Sequence, residues 1–138
     1  SSTSVFNRMI TYSTNYYNKA ATCPLYLPHG STLIQIFVRC YQFSANSSTE
    51  SNRPFLCAYY HPRGATSGVQ IGSTVYAPYR SGTGNIDMYM NSINHTVDSS
   101  NNSYYVKFVT GDNTHGTIYI GSGHALFDIT DFGKSCGI

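Results

Sequence analysis

The chain has 138 residues, a formal net charge of +2 and only 10% charged residues, with 13 tyrosines and no tryptophan. That length suits one domain, long enough to bury roughly 65–70% of its unfolded surface. Its eight Lys and Arg are scattered singly, which argues against nucleic acid, since that partner needs clustered cations; no apolar run approaches the roughly 18 residues that cross a bilayer.

Taken in order, Ser4 to Thr14 puts Val5, Phe6, Met9 and Ile10 at helical spacing but is rich in Thr and Tyr, so an edge strand is expected, with residues 1–12 alternatively a stem or linker lead-in. Thr22 to Leu27 predicts a short strand closed by the turn residues Pro28-His29-Gly30. Ser31 to Phe43 is the central strand. Its even positions Ile34, Ile36, Val38 and Cys40 are all apolar, while Leu33, Gln35, Phe37, Arg39, Tyr41 and Phe43 form a mixed face, the period-two pattern of a strand in the middle of a sheet. Ala45 to Asn52 is a polar loop.

Pro54 to Tyr60 predicts a strand with Phe55, Cys57 and Tyr59 on one face, ending at His61-Pro62-Arg63-Gly64. Val69–Ile71 and Thr74–Ala77 are extended and split by Gly72, which predicts a bulge or corner. Pro78 to Asn85 is a loop, and Ile86, Met88 and Met90 alternate as a strand. After the polar loop His95–Ser103, Tyr104–Thr110 and Thr117–Ile120 read as a hairpin turning through 111–116. Gly121-Ser122-Gly123 should break the chain before a last strand, Ala125–Phe132. Eight to ten short strands without a strong amphipathic helix predict an all-β fold, an antiparallel β-sandwich or jelly roll.

Cys23, Cys40, Cys57 and Cys136 fit no zinc or redox spacing. Cys40 and Cys57 are expected either to bridge neighbouring strands or to remain buried thiols. No HxH or HExxH pair predicts a metal, no GxSxG a serine nucleophile, and no Gly-rich loop a nucleotide; no catalytic residue and no cofactor are assigned. Glu50, the sole glutamate, could serve a small secreted ribonuclease together with His and Arg residues, which is the enzymatic alternative.

Surface chemistry points elsewhere. Sugars bind by stacking C–H faces on rings while amide, carboxylate and guanidinium groups bond their hydroxyls. Tyr59-Tyr60-His61-Pro62-Arg63 and Tyr76-Ala77-Pro78-Tyr79-Arg80 each bring rings and an Arg to a strand end, and Asp112-Asn113-Thr114-His115 offers short polar side chains. The candidate ligand-binding residues are therefore Tyr60, Arg63, Tyr79, Arg80 and Asn113, provided their loops share one end of the sandwich.

The blend of Tyr, Ser, Thr, Asn and Gly with sparse charge and many short strands resembles the C-terminal tip domains of trimeric phage tail fibres and related bacterial fibre adhesins. The resemblance is compositional and spans the whole chain. It implies a β-rich knob, assembled as a homotrimer, that recognises a cell-surface glycan or protein receptor without catalysis. The implied location is extracellular, on a virion or cell-surface fibre, or periplasmic. A purely structural knob that caps a trimer is the other non-enzymatic reading. The chain begins at Ser1 without a basic-then-apolar leader, as expected of a trimmed or excised piece.

Overall fold

The computed structural model describes residues 2–6, 10–12, 20–111 and 118–129, with the backbone path alone for 2–6, 10–12 and 119. Its strands in chain order are β1 (Ser2–Phe6), β2 (Ile10–Tyr12), β3 (Ala20–Leu25), β4 (Thr32–Gln42), β5 (Phe55–Pro62), β6 (Val69–Tyr76), β7 (Gly84–Met90), β8 (His95–Thr96), β9 (Asn102–Val109) and β10 (Ile118–Asp128). They form two antiparallel sheets. Sheet I has the order β1-β10-β4-β7, with β2 also on β10 and β8 on β4; sheet II has the order β3-β9-β5-β6. Apart from the β5–β6 hairpin and the short β8, the chain changes sheet at each step from β2 onward. With the short β2 and β8 set aside, two four-stranded layers connected in this way are a jelly roll.

The alternation along β4 explains why it sits inside sheet I, flanked by β10 and β7. Ile36, Val38 and Cys40 face inward, with Ile86, Met88 and Met90 of β7 and Ala125 and Phe127 of β10. Opposite them sheet II contributes Leu56, Ala58, Tyr104, Val106 and Phe108. The even-face expectation fails at one residue. Leu126 pairs with Gln35 and Phe127 with Leu33, so Ile34 is an extra residue in a bulge. The bulge turns Leu33 into the core at 0% exposure and leaves Ile34 half-buried, because each inserted residue reverses the face that follows it.

Gly72 does mark the irregularity expected of it. β5 and β6 lose register between Leu56 and Ala58, and Gly72 has φ +66°, a conformation that only glycine adopts without strain.

The hairpin predicted at 104–120 is corrected. β9 pairs with β3 and β5 in sheet II, whereas β10 pairs with β4, β1 and β2 in sheet I. Alternation cannot separate a hairpin from a crossover between layers, because both strands bury one face either way. Nor does Gly121-Ser122-Gly123 end the strand: β10 runs through it with a bulge between Ile120 and Ser122. Expectations for Phe132 and Cys136 lie outside the described residues.

Cys40 and Cys57 are free thiols. Cys40 points into the core from sheet I, while Cys57 lies on the outer side of sheet II with its sulfur 3.3 Å from Thr74 Oγ1. Placement in different layers removes the bridge between the two. Burial pushes the Cys40 thiol well above its usual range, so it stays protonated and unreactive.

Strand direction sorts the connections into two ends. The first end gathers residues 26–31, 63–68 and 91–101; the second gathers 43–54 and 77–83.

Candidate functional site

The five residues expected to form one site are divided between these ends. Arg63 immediately follows β5, and Tyr60 is near its end, so both belong to the first end. Tyr79 and Arg80 follow β6 at the second end. The length of β5, eight residues at about 3.3 Å each, roughly 25 Å, separates them. No single sugar reaches both. Asn113 lies outside the described residues.

The second end satisfies its own polar groups. Asn46 is buried at 5% exposure; its Nδ2 donates to Pro78 O at 2.8 Å and its Oδ1 accepts from Arg80 N at 3.1 Å. Gln42 Nε2 donates to Arg80 O and Gly82 O. Arg53 donates to the carbonyls of Ser47, Ser48 and Ala77 and lies 5.7 Å from the Tyr79 ring centroid. Arg80 gives Nε and Nη2 to Thr83 O. These groups hold two loops together rather than facing a ligand.

The first end is built from two matching turns. Pro28-His29-Gly30-Ser31 closes with Ser31 N donating to Pro28 O, and Pro62-Arg63-Gly64-Ala65 with Ala65 N donating to Pro62 O. Gly30 at φ +82° and Gly64 at φ +79° occupy the third position, the place where a type II turn demands positive φ. His29 and Arg63, one residue before, are therefore displayed outward, and both are exposed.

A third loop, 97–101, ties the turns together. Val97 exchanges backbone bonds with Gly30 and Ser31, and Asn101 O accepts from Arg63 N at 2.7 Å. Asp98 shapes this loop: Oδ1 accepts from the backbone N–H of Ser100 and Asn101, and Oδ2 from Asn101 Nδ2 at 2.9 Å. The Asn101 side-chain bond, more than any other contact, holds the Asp98 carboxyl below its ordinary range.

Beneath the loop, Tyr104 Oη accepts from Asp98 N at 2.9 Å and lies 2.9 Å from His95 Nε2. Tyr60 stacks on His95, with ring centroids 5.2 Å apart. It is half-buried against the core, a support under the loops rather than an open platform.

Two recesses open among these loops. A polar one of about 190 Å³ is lined by His61, Arg63, Ser100, Asn101, Asn102 and Ser103. An apolar groove of about 590 Å³ is lined by Leu25, Tyr26, Leu27, Pro28 and Tyr104. Ser99, Asn102 and Ser103 border both, so the two recesses lie side by side as one cleft region. Tyr26 presents its ring at 83% exposure. The groove falls in the roughly 300–1,000 Å³ range of ligand sites, and the polar recess has room for one small polar group.

Sequence reading found Arg63 but missed Tyr26 and the 98–103 loop. The signal for Tyr26 was present: Leu25 and Leu27 are buried on either side of it, and a run of that period shows its middle residue to water. Among the described residues no group of three or more His, Cys, Asp or Glu could hold a metal ion, and no helix is long and apolar enough to cross a membrane.

No family model matches this chain, and no curated protein does. A solved structure of infectious bursal disease virus, Gx strain, aligns with 96% of the chain at 13% identity and a TM-score of 0.49. The chain spans about a third of that structure's length (34%). Likeness at this level says nothing about function.

Proposed function

We propose that the domain is a non-enzymatic recognition module that binds a cell-surface glycan in the first-end cleft. A jelly roll alone does not imply this, since the fold carries capsid, lectin and enzyme domains alike. The observation that supports it is an outward ring, Tyr26, beside a recess lined by Asn101, Asn102, Arg63 and three serines. Stacking positions a sugar face, and the planar polar groups read its hydroxyls. The ribonuclease alternative finds less support. Glu50 is exposed in a short turn at the second end, a strand's length from His29, His61 and His95.

The same reading includes assembly as a homotrimer, displayed outside the cell or on a virion. The outer face of sheet I carries Phe37 packed on Tyr89 and His124, and Tyr41 packed on Phe43. Tyr41, Phe43 and Tyr89 are 37%, 45% and 48% exposed, and sheet II covers the opposite face. Neighbouring copies would cover this patch in the trimer.

A glycan array probed with the labelled protein tests the binding function. Specific signal that disappears in Tyr26→Ala supports the proposal. A blank array, or signal indifferent to Tyr26→Ala, contradicts it.

A further inference from the structure

We infer that the ligand of this cleft is an acidic sugar, whose carboxylate or sulfate is received by Arg63; the inference rests on the glycan reading above. An arginine has five N–H donors, and the described arginines differ in how many they have left. Arg39 is engaged through Nε and Nη2 with both oxygens of Asp87, at 2.7 and 2.8 Å. Arg53 spends Nε, Nη1 and Nη2 on three carbonyls. Arg80 folds back on Thr83 O. Arg63 gives one side-chain bond, from Nη2 to Ser100 O at 2.8 Å, and it lines the polar recess.

That single bond aims the guanidinium without exhausting it. Its backbone is fixed from both sides, by the type II turn and by the bond from Arg63 N to Asn101 O. Among the described residues no carboxylate stands within ion-pair distance of it. The nearest acidic residue in the loop, Asp98, has both oxygens occupied by Ser100 and Asn101, with His29 Nδ1 3.6 Å from Oδ1. It does not line the polar recess. The recess therefore holds a fixed positive charge with spare donors in a planar fork, the geometry that matches an oxyanion presenting two oxygens. Its small volume suits that one group, while the adjoining groove takes the sugar's body against Tyr26.

Titration calorimetry with lactose, 3′-sialyllactose and 3′-sulfolactose tests this and separates the two oxyanions. At about 0.1 M salt, one acidic probe should bind roughly tenfold tighter than lactose, the scale of one charge-assisted hydrogen bond. The advantage should shrink at about 1 M salt, where the Debye length falls from about 10 Å to about 3 Å. Arg63→Gln should abolish the advantage, bringing the acidic probe to the level of lactose; Arg80→Gln, the matched change at the second end, should leave the advantage in place. Equal affinity for all three sugars, still lost in Tyr26→Ala, overturns the acidic ligand while the glycan reading stands. An acidic preference that survives Arg63→Gln overturns the role of Arg63. No binding of any probe, together with a blank array, overturns both.

Discussion

The phenol of Tyr104 joins the loop above it to the core below, accepting from Asp98 N and meeting His95 Nε2. Removing it in Tyr104→Phe leaves a part-buried N–H and a ring nitrogen without that partner. The cost should be about 1–3 kcal/mol in urea unfolding. His95 makes the same cluster sensitive to pH. Burial lowers its pKa from the usual 6.5, so the folded form prefers the neutral ring while the unfolded chain protonates near 6.5. Stability is then complete above about pH 6.5 and declines as pH falls from there through the folded-state pKa. Asp87 and Asp98, both held below the usual 3.8, add stability that is lost only at pH values lower still. A urea midpoint measured against pH should fall first below 6.5, and His95→Asn should remove that first decline. At the second end, Asn46→Ala strips two loop-bridging bonds from a buried site and should cost about 1–3 kcal/mol. A cost near zero there would mean that the loops hold together without it.

The bulge in β4 has a direct mutational test. Ile36→Ala and Leu33→Ala should each cost about 2–5 kcal/mol, while Ile34→Ala should cost less and Gln35→Ala should stay within about 1 kcal/mol. Equal losses at 33 and 34 would show that no register change occurs. Most strands were legible because alternation and turn residues agree: Ile86, Met88 and Met90 reach the core, and Gly30, Gly64 and Gly72 all adopt positive φ. The bulge at Ile34 was hidden because Leu33 and Ile34 are equally apolar, and no glycine marks it. The false hairpin has another cause. Pairing partners are a property of the whole layer order, whereas the turn residues at 111–116 fit a return within one sheet or a crossing between two. Half of the candidate site was legible for the same reason: a turn at Arg63 is written locally, but which loops share its end is written only in the topology.

For the whole molecule, the proposed function would place contact between copies at the outer side of sheet I and ligand recognition at the first end. Light scattering should give three times the 15.2 kDa chain mass if the homotrimer forms. Substitution of Tyr41 and Tyr89 by Ser should return it to one chain without abolishing glycan binding. A monomer in the unaltered protein at micromolar concentration contradicts the assembly but not the cleft. The paired variants Tyr26→Ala and Tyr79→Ala show at which end the ligand binds. Both remove an exposed ring, 83% and 52% accessible, at opposite ends of the sandwich. Measured against the strongest glycan on the array, Tyr26→Ala should lose at least about tenfold in affinity, a loss of about 1.4 kcal/mol, while Tyr79→Ala binds as the unaltered chain does. The reverse pattern, with Tyr79 required and Tyr26 dispensable, would place the ligand at the second end and contradict binding in the first-end cleft.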